Sequence, residues 1–306
     1  PGVVTPEIPK SLPEPWEGKI TRRINPNPAN LQFYLQNGGM LNLQTKRGCH
    51  FKCVYCTYPH IEGHHLRLVD PNETAAAALK LQASGAKYFF ITDSVFKADC
   101  SHILAVARAF KKNGVSIPWG AFFAPLKQPE DYFRIMADAG LTHVEFGTDS
   151  LSNSVLAAYR KPFQDQQIIK VHQAAIAAGL YVAHYFLLGG PGENPQTLKE
   201  TLSGIRSLEK SALFFFCGMR IYPGTALYEI AVNEGQIEKG RSILEPVFYR
   251  SALIDSDEIV RQVRQAAGER INWIIGAGGQ DTAKIITELY HRGHCGPMWE
   301  YLIRLS

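Results

Sequence analysis

Long apolar runs, basic clusters and cysteines are all scarce in this chain. No stretch approaches the roughly 18 consecutive apolar residues of a membrane-spanning helix, so no span is expected. Lys and Arg exceed Asp and Glu by only 32 to 28, and no Lys/Arg run is dense enough to predict a nucleic-acid partner. Six cysteines in 306 residues are too few for a disulfide scaffold. Free thiols point instead to a reducing compartment, the cytoplasm. The opening Pro1-Gly2-Val3-Val4 has neither the basic nor the apolar segment of a secretory signal. It also lacks an initiating Met, as expected of a processed, trimmed or excerpted piece of a longer chain. What remains is an ordinary globular composition, 45% hydrophobic and 20% charged, with length for one large domain or two smaller ones.

Proline divides the chain. Seven of the 18 prolines fall at Pro1, Pro6, Pro9, Pro13, Pro15, Pro26 and Pro28, which predicts an extended leader or linker over 1–40. From Leu41 to about Gly235 short apolar runs alternate with amphipathic stretches. Strands are expected at Leu41–Lys46, Lys87–Thr92, Pro118–Phe123, Thr142–Gly147, Leu180–Leu187 and Leu213–Ile221, each bounded by Gly, Asp or Pro. Helices are expected between them at Asn72–Ala83, Ser101–Lys112, Glu130–Ala139, Asn153–Tyr159, Asp165–Ala178 and Gln196–Lys210. Six β-α repeats imply an α/β fold with a parallel sheet and right-handed crossovers, either doubly wound or a whole or partial barrel. Residues 236–306 read as a helical extension, with amphipathic helices at Asp257–Ile275 and Asp281–His291.

Half of the cysteines sit on one loop, Cys49-His50-Phe51-Lys52-Cys53-Val54-Tyr55-Cys56, directly after the first strand. The spacing C-x3-C-x2-C offers three thiolates, one short of the four an iron–sulfur cubane usually takes, and so leaves one iron for another ligand. A zinc site completed by His50 or His60 is the competing reading, but structural zinc sites normally pair two separated knuckles. Either fold puts ligands at the carboxyl ends of its strands, where this loop lies.

With an aromatic residue, Tyr55, just before the third cysteine and the array of βα units behind it, the region from Leu41 to Gly235 resembles the radical S-adenosylmethionine (SAM) superfamily. The resemblance implies a partial (β/α)6 TIM-like barrel and a 4Fe-4S cluster on Cys49, Cys53 and Cys56. In that family SAM binds the open iron and is reductively cleaved to a 5′-deoxyadenosyl radical, which abstracts hydrogen from substrate. Flavodoxin or ferredoxin is the customary electron donor. Asp93, in Thr92-Asp93-Ser94, stands where the family often carries Gly-Gly-Glu for the SAM ammonium; a simple turn is the alternative. Asp149, ending the fourth strand, matches a family Glu near the SAM ribose or carboxylate; with Ser150, its alternative role is a helix N-cap. Lys161 matches a basic residue that reaches the SAM carboxylate, and the family's aromatic position makes Tyr55 a further expected cofactor contact. Gly190 and Glu193 correspond to an adenine-side glycine motif. Arg220, in an otherwise apolar strand, calls for a SAM carboxylate, a substrate anion or an internal Asp or Glu.

Thr45-Lys46-Arg47-Gly48-Cys49, Asp93-Ser94-Val95-Phe96 and Arg220-Ile221-Tyr222-Pro223-Gly224-Thr225 are similar to the cobalamin-binding branch, including lipid-biosynthesis members and the anaerobic cyclase. That branch implies cobalamin as a further cofactor and methyl transfer to an unactivated carbon. Its Rossmann-like cobalamin domain and Asp-x-His-x-x-Gly signature are not in this sequence, which predicts a lost, separate or excised domain. The expected function is hydrogen abstraction from a small, apolar or lipid-like molecule. The alternative is a non-enzymatic zinc or iron–sulfur module for electron transfer or assembly. Phe122, Phe123, Phe214 and Phe216 read as core rather than as cavity lining, and Cys100 and Cys217 as buried thiols. His64 with His65, and His291 with His294 and Cys295, read as solvated loop residues rather than metal ligands.

Overall fold

The computed structural model describes residues 28–96, 100–276 and 279–304, so the leader up to position 27 lies outside the described residues. Seven parallel strands follow one another across a single sheet in chain order: β1 (Met40–Leu43), β2 (Tyr88–Ile91), β3 (Trp119–Phe123), β4 (Leu141–Asp149), β5 (Tyr181–Leu188), β6 (Ser211–Cys217) and β7 (Trp273–Ile275). The helices are α1 (Pro28–Gln36), α2 (Tyr58–Glu62), α3 (Pro71–Ala83), α4 (Cys100–Asn113), α5 (Tyr132–Ala137) and α6 (Asn153–Ala158). They continue as α7 (Asp165–Ala177), α8 (Pro195–Gly204), α9 (Ala226–Asn233), α10 (Ser256–Ala267), α11 (Gly279–His291) and α12 (Glu300–Arg304).

Strands in chain order joined by right-handed crossovers carry their helices on one face and leave the other as a concave inner surface. Burial follows this rule. Phe89, Ile91, Ala121, Phe123, Val144 and Phe146 share a core with Ala78, Ile103, Phe110 and Met136 of the helices. Phe186, Leu188, Leu213 and Phe215 do the same with Leu198, Ile259 and Val263. The alternate residues Phe90, Phe122, Glu145, Tyr185, Phe214 and Phe216 therefore face inward. This is the α/β partial barrel predicted from the sequence.

Two expectations are corrected. The helix read over Asp257–Ile275 stops at Ala267, where Gly268 turns left-handed (φ 58°), and Trp273–Ile275 becomes β7, paired with Leu213–Phe215. Within the leader, Pro28 stands in the first turn of α1, where its missing N–H costs nothing. The C-terminal segment crosses the bottom of the sheet. Gly296 N–H donates to Gly38 O (3.1 Å) beside β1, while Trp299 packs on Ala183, Ala212 and Ile274 toward the opposite edge. It thereby ties together the two edges of an unclosed barrel.

Candidate active site

The cysteine loop leaves the carboxyl end of β1. Its base is a short ribbon in which Lys46–Arg47 pairs antiparallel with Arg67–Leu68. Gly48 sits at φ 87°, and a Cβ there would collide with the His65 carbonyl oxygen, so only glycine fits. Cys49 N–H then donates to Gly63 O (3.1 Å). Mid-loop, Val54 N–H donates to Tyr159 O (3.2 Å) and Leu227 N–H to Val54 O (2.8 Å), fixing the stretch between Cys53 and Cys56. All six cysteines are free, with Cys49 buried and Cys53 and Cys56 half-buried.

Burial pushes the Cys53 thiol up to about 11 against the pull of Lys161, and it raises Cys56 as well. Thiols that desolvation holds uncharged become thiolates when iron supplies the positive charge. Among the described residues no three Cys, His, Asp or Glu side chains converge on a single metal ion. His64 and His65 point into solvent, and His294 is hydrogen-bonded to Tyr301 (2.6 Å).

Beside the loop, three of the predicted SAM contacts meet one another. Tyr55 Oη donates to Asp149 Oδ2 (2.6 Å), and Lys161 Nζ lies 2.8 Å from the same oxygen and 3.2 Å from Tyr55 Oη. Burial opposes the Lys161 charge, yet Asp149 and then Tyr55 outweigh it and hold the ammonium well above its ordinary value. The backbone is bent to make this meeting. Asp149 sits at φ 61° after a bulge in β4, and Arg160 at φ 56° turns the chain back after α6 so that Lys161 N–H reaches Leu156 O (2.9 Å). Left-handed non-glycine residues cost about 1–3 kcal/mol each and concentrate at functional sites. Neither Asp149 nor Ser150 caps the next helix: Ser150 Oγ pairs with Thr201 Oγ1 (2.8 Å).

Asp93 is hydrogen-bonded within the protein. Its Oδ1 accepts from Thr45 N–H (2.8 Å) and its Oδ2 from Thr45 Oγ1 (2.5 Å), so both oxygens splint the end of β1. Burial raises its carboxyl above the usual range while Lys46 and Thr45 pull it down. Lys46, unassigned from the sequence, is buried with Nζ on Ser94 Oγ (3.1 Å) and Gly48 O (3.4 Å). Burial lowers its ammonium, partly offset by Asp93 and Cys49.

Gly190 and Glu193 also serve the protein first. A Cβ on Gly190 would stand 2.5 Å from Tyr159 Oη and 2.6 Å from Met219 Cε, so these neighbours leave no room for a side chain. Glu193 is fully buried, taking Thr197 Oγ1 on Oε1 (2.8 Å) and Gly189 N–H on Oε2 (3.4 Å), and burial raises its carboxyl. Arg220 lies over the Tyr222 ring (4.8 Å) and has no carboxylate partner among the described residues, which leaves its charge available to an anion.

Sequence reasoning missed Glu145 and Tyr185. Tyr185 Oη donates to Glu145 Oε2 (2.8 Å), and Trp299 Nε1 donates to Oε1 (3.0 Å) at the floor of the inner surface. Burial lifts the Glu145 carboxyl to about 7 against both bonds. A Glu amid the apolar run Val144–Phe146 was the available signal. Phe122 and Phe216, read as core, are inner-face residues; Cys100 and Cys217 are half-buried, not buried.

Three thiols thus lie on a loop at the carboxyl edge of an open parallel barrel, beside a buried phenol–carboxylate–ammonium group. Residues 43–204 match the Radical SAM superfamily, and the chain belongs to it. Its cofactors are those of the family, a 4Fe-4S cluster and SAM. The chain is 26% identical over 223 residues to cytidylyl-2-hydroxyethylphosphonate methyltransferase of Streptomyces wedmorensis, covering 70% of this chain and 41% of that protein. It is 23% identical to tryptophan 2-C-methyltransferase of Streptomyces laurentii, covering 63% and 35%. The chain thus spans less than half of either relative. The solved methyltransferase TsrM from Kitasatospora setae, with tryptophan and a SAM analogue bound, superposes with a TM-score of 0.78 at 17% identity, over 96% of this chain and 65% of that one. The cobalamin-dependent enzyme OxsB gives a TM-score of 0.61 at 14% identity, over 83% and 46%. These two show the shared fold. Among the described residues no helix is long and apolar enough to cross a membrane.

Proposed function

We propose that this chain is the radical-generating barrel of a C-methyltransferase acting on a small apolar molecule, with cobalamin as methyl carrier. Cys49, Cys53 and Cys56 would hold the cluster, which when bound would supply the electron for reductive cleavage of SAM to methionine and a hydrogen-abstracting radical. The observation that carries the reading is the meeting of Tyr55, from the cysteine loop, with Asp149 and Lys161 at the carboxyl edge of the barrel. Asp149 and Tyr55 keep Lys161 charged beside the thiols, and Arg220 offers a second, uncommitted cation to a carboxylate. Methyl transfer is supported by the similarity to two methyltransferases, and cobalamin by the fold shared with the cobalamin-dependent OxsB. Because the match runs over 43–204, far beyond the cysteine loop, an electron-transfer or zinc module has no support. A flavodoxin or ferredoxin in a reducing cytoplasm and a cobalamin-carrying domain complete the proposal.

The test is anaerobic reconstitution with iron and sulfide, followed by reduction in the presence of SAM with and without methylcobalamin. Formation of 5′-deoxyadenosine is expected from the native chain and not from Cys53→Ala. A cluster-loaded chain that neither binds SAM nor forms that product overturns the reading. The cobalamin part is refuted separately if methylcobalamin binds neither to this chain nor to this chain together with its cobalamin-carrying domain.

A further inference from the structure

We infer that the inner face of the sheet is a stacking slot for a planar aromatic portion of the substrate. The inference rests on the barrel being the reaction chamber proposed above. Phe122 and Phe216 are 39% and 38% exposed, whereas their neighbours Phe123 and Phe215 are 1% and 2% exposed. Such a difference between adjacent phenylalanines on one strand marks two faces, one packed and one open. On the open face the rings are ordered. Tyr185 lies parallel to Phe214 (centroids 4.8 Å apart, planes within 7°) and to Phe216 (6.3 Å, 9°). Phe122 meets Tyr185 edge-on at 6.2 Å and Phe90 at 4.9 Å, forming a side wall.

Two further features point to a flat guest rather than an acyl chain. The Tyr185 hydroxyl is tethered to Glu145, whose other oxygen is held by Trp299, so the polar groups of the floor are satisfied internally and the Tyr185 ring is fixed in plane. Opposite Tyr185 in the β4–β5 register stands Gly147, and a Cβ there would meet nothing within 4 Å. Space is therefore open at the strand position paired with Tyr185. Asp149 lies four residues beyond Glu145, about 13 Å along β4 at the usual rise, so a ring held here sits between the floor and the cysteine loop. Aliphatic chains need only apolar volume. Parallel rings add an orientation-dependent attraction that favours a flat π-surface by about 3- to 10-fold per ring pair.

The test uses the full chain with 2-naphthalenemethanol, its decahydro counterpart and 1-decanol, compared by ligand-observed NMR titration. The aromatic probe is expected to bind at least fivefold tighter than either aliphatic one. Phe216→Leu and Phe122→Leu should each weaken the naphthyl probe about 3- to 10-fold while leaving the decahydro probe unchanged. Gly147→Val should abolish binding of the naphthyl probe, with thermal unfolding confirming that each variant is folded. Equal or tighter binding of the saturated probes, an aromatic preference that survives the phenylalanine substitutions, or no naphthyl binding overturns the inference. Formation of 5′-deoxyadenosine is read without substrate, so failure of the slot and failure of the radical chemistry are told apart.

Discussion

Asp149→Asn removes one negative charge from a site where almost no water can replace it. The Asp149 and Lys161 side chains are 7% and 8% exposed and 2.8 Å apart. Asparagine tolerates the left-handed backbone at this position at least as well as aspartate, and it keeps an oxygen for the Tyr55 hydroxyl, so the substitution isolates the charge. Removing one partner of a buried pair costs ~3–5 kcal/mol, because the remaining charge is stranded. For a chain of 306 residues, at about 2.1 cal/mol/K of unfolding entropy per residue, that lowers the melting temperature by roughly 5 to 8 °C. Lys161→Met should cost a similar amount, since it strands Asp149 with only the Tyr55 bond. The double variant carries no stranded charge and should be more stable than either single one. The assay is urea unfolding of all four proteins as a double-mutant cycle, with unchanged m-values as the check that the same state unfolds. A cost for Asp149→Asn below about 1 kcal/mol with coupling near zero would show a pair screened like a surface salt bridge. The reasoning from burial would then be wrong.

Replacing Cys49, Cys53 or Cys56 singly by Ala should bring bound iron close to zero after reconstitution, while Cys100, Cys217 and Cys295 substitutions keep it; iron analysis decides. Gly48→Ala should reduce iron loading at least tenfold with the far-ultraviolet dichroism retained, because its Cβ has no room against the His65 carbonyl. Glu145 gives a pH signature. Its carboxyl is raised from 4.5 to about 7 in the folded chain, so the folded state holds a proton that the unfolded state has released between those values. Its contribution to stability is complete below about 4.5 and is lost as pH rises through about 7, a swing on the order of 3 kcal/mol. Melting temperature should therefore fall between pH 5 and 8, and Glu145→Gln should flatten that fall; an unchanged slope in the variant removes Glu145 as its source.

The six strands of the repeat were legible because each is a short apolar run closed by a turn residue, and tertiary structure did not override that punctuation. The seventh was not. Trp273–Ile275 is only three residues long, and Ile271 and Ile274 continue the helical spacing of Ile259 and Val263. What ends the helix is Gly268 taking a left-handed turn, and the sheet edge left by β6 then recruits the next apolar residues. Periodicity reports a face but not the partner that will cover it, so a short strand within a helical period is invisible until its neighbour exists.

The site divides along the same line. The cysteine spacing is local and could be read directly. Tyr55, Asp149 and Lys161 were each noticed singly as ligand contacts, but their meeting depends on two left-handed residues, Asp149 and Arg160, which no spacing announces. Asp93 and Glu193 were legible as SAM-side carboxylates, and only the folded chain shows that Thr45 and Thr197 donate to them. The run Leu213–Cys217 shows the limit most sharply. Three successive phenylalanines have no polar alternation, so the sequence does not say which of them is packed. Both faces of β6 are apolar for different reasons: Phe215 because helices cover it, Phe214 and Phe216 because the inner surface is built of rings. In an ordinary parallel sheet both faces are covered and the distinction vanishes. Here the barrel stays open above Trp299, so the inner face keeps exposed rings that helices would otherwise cover.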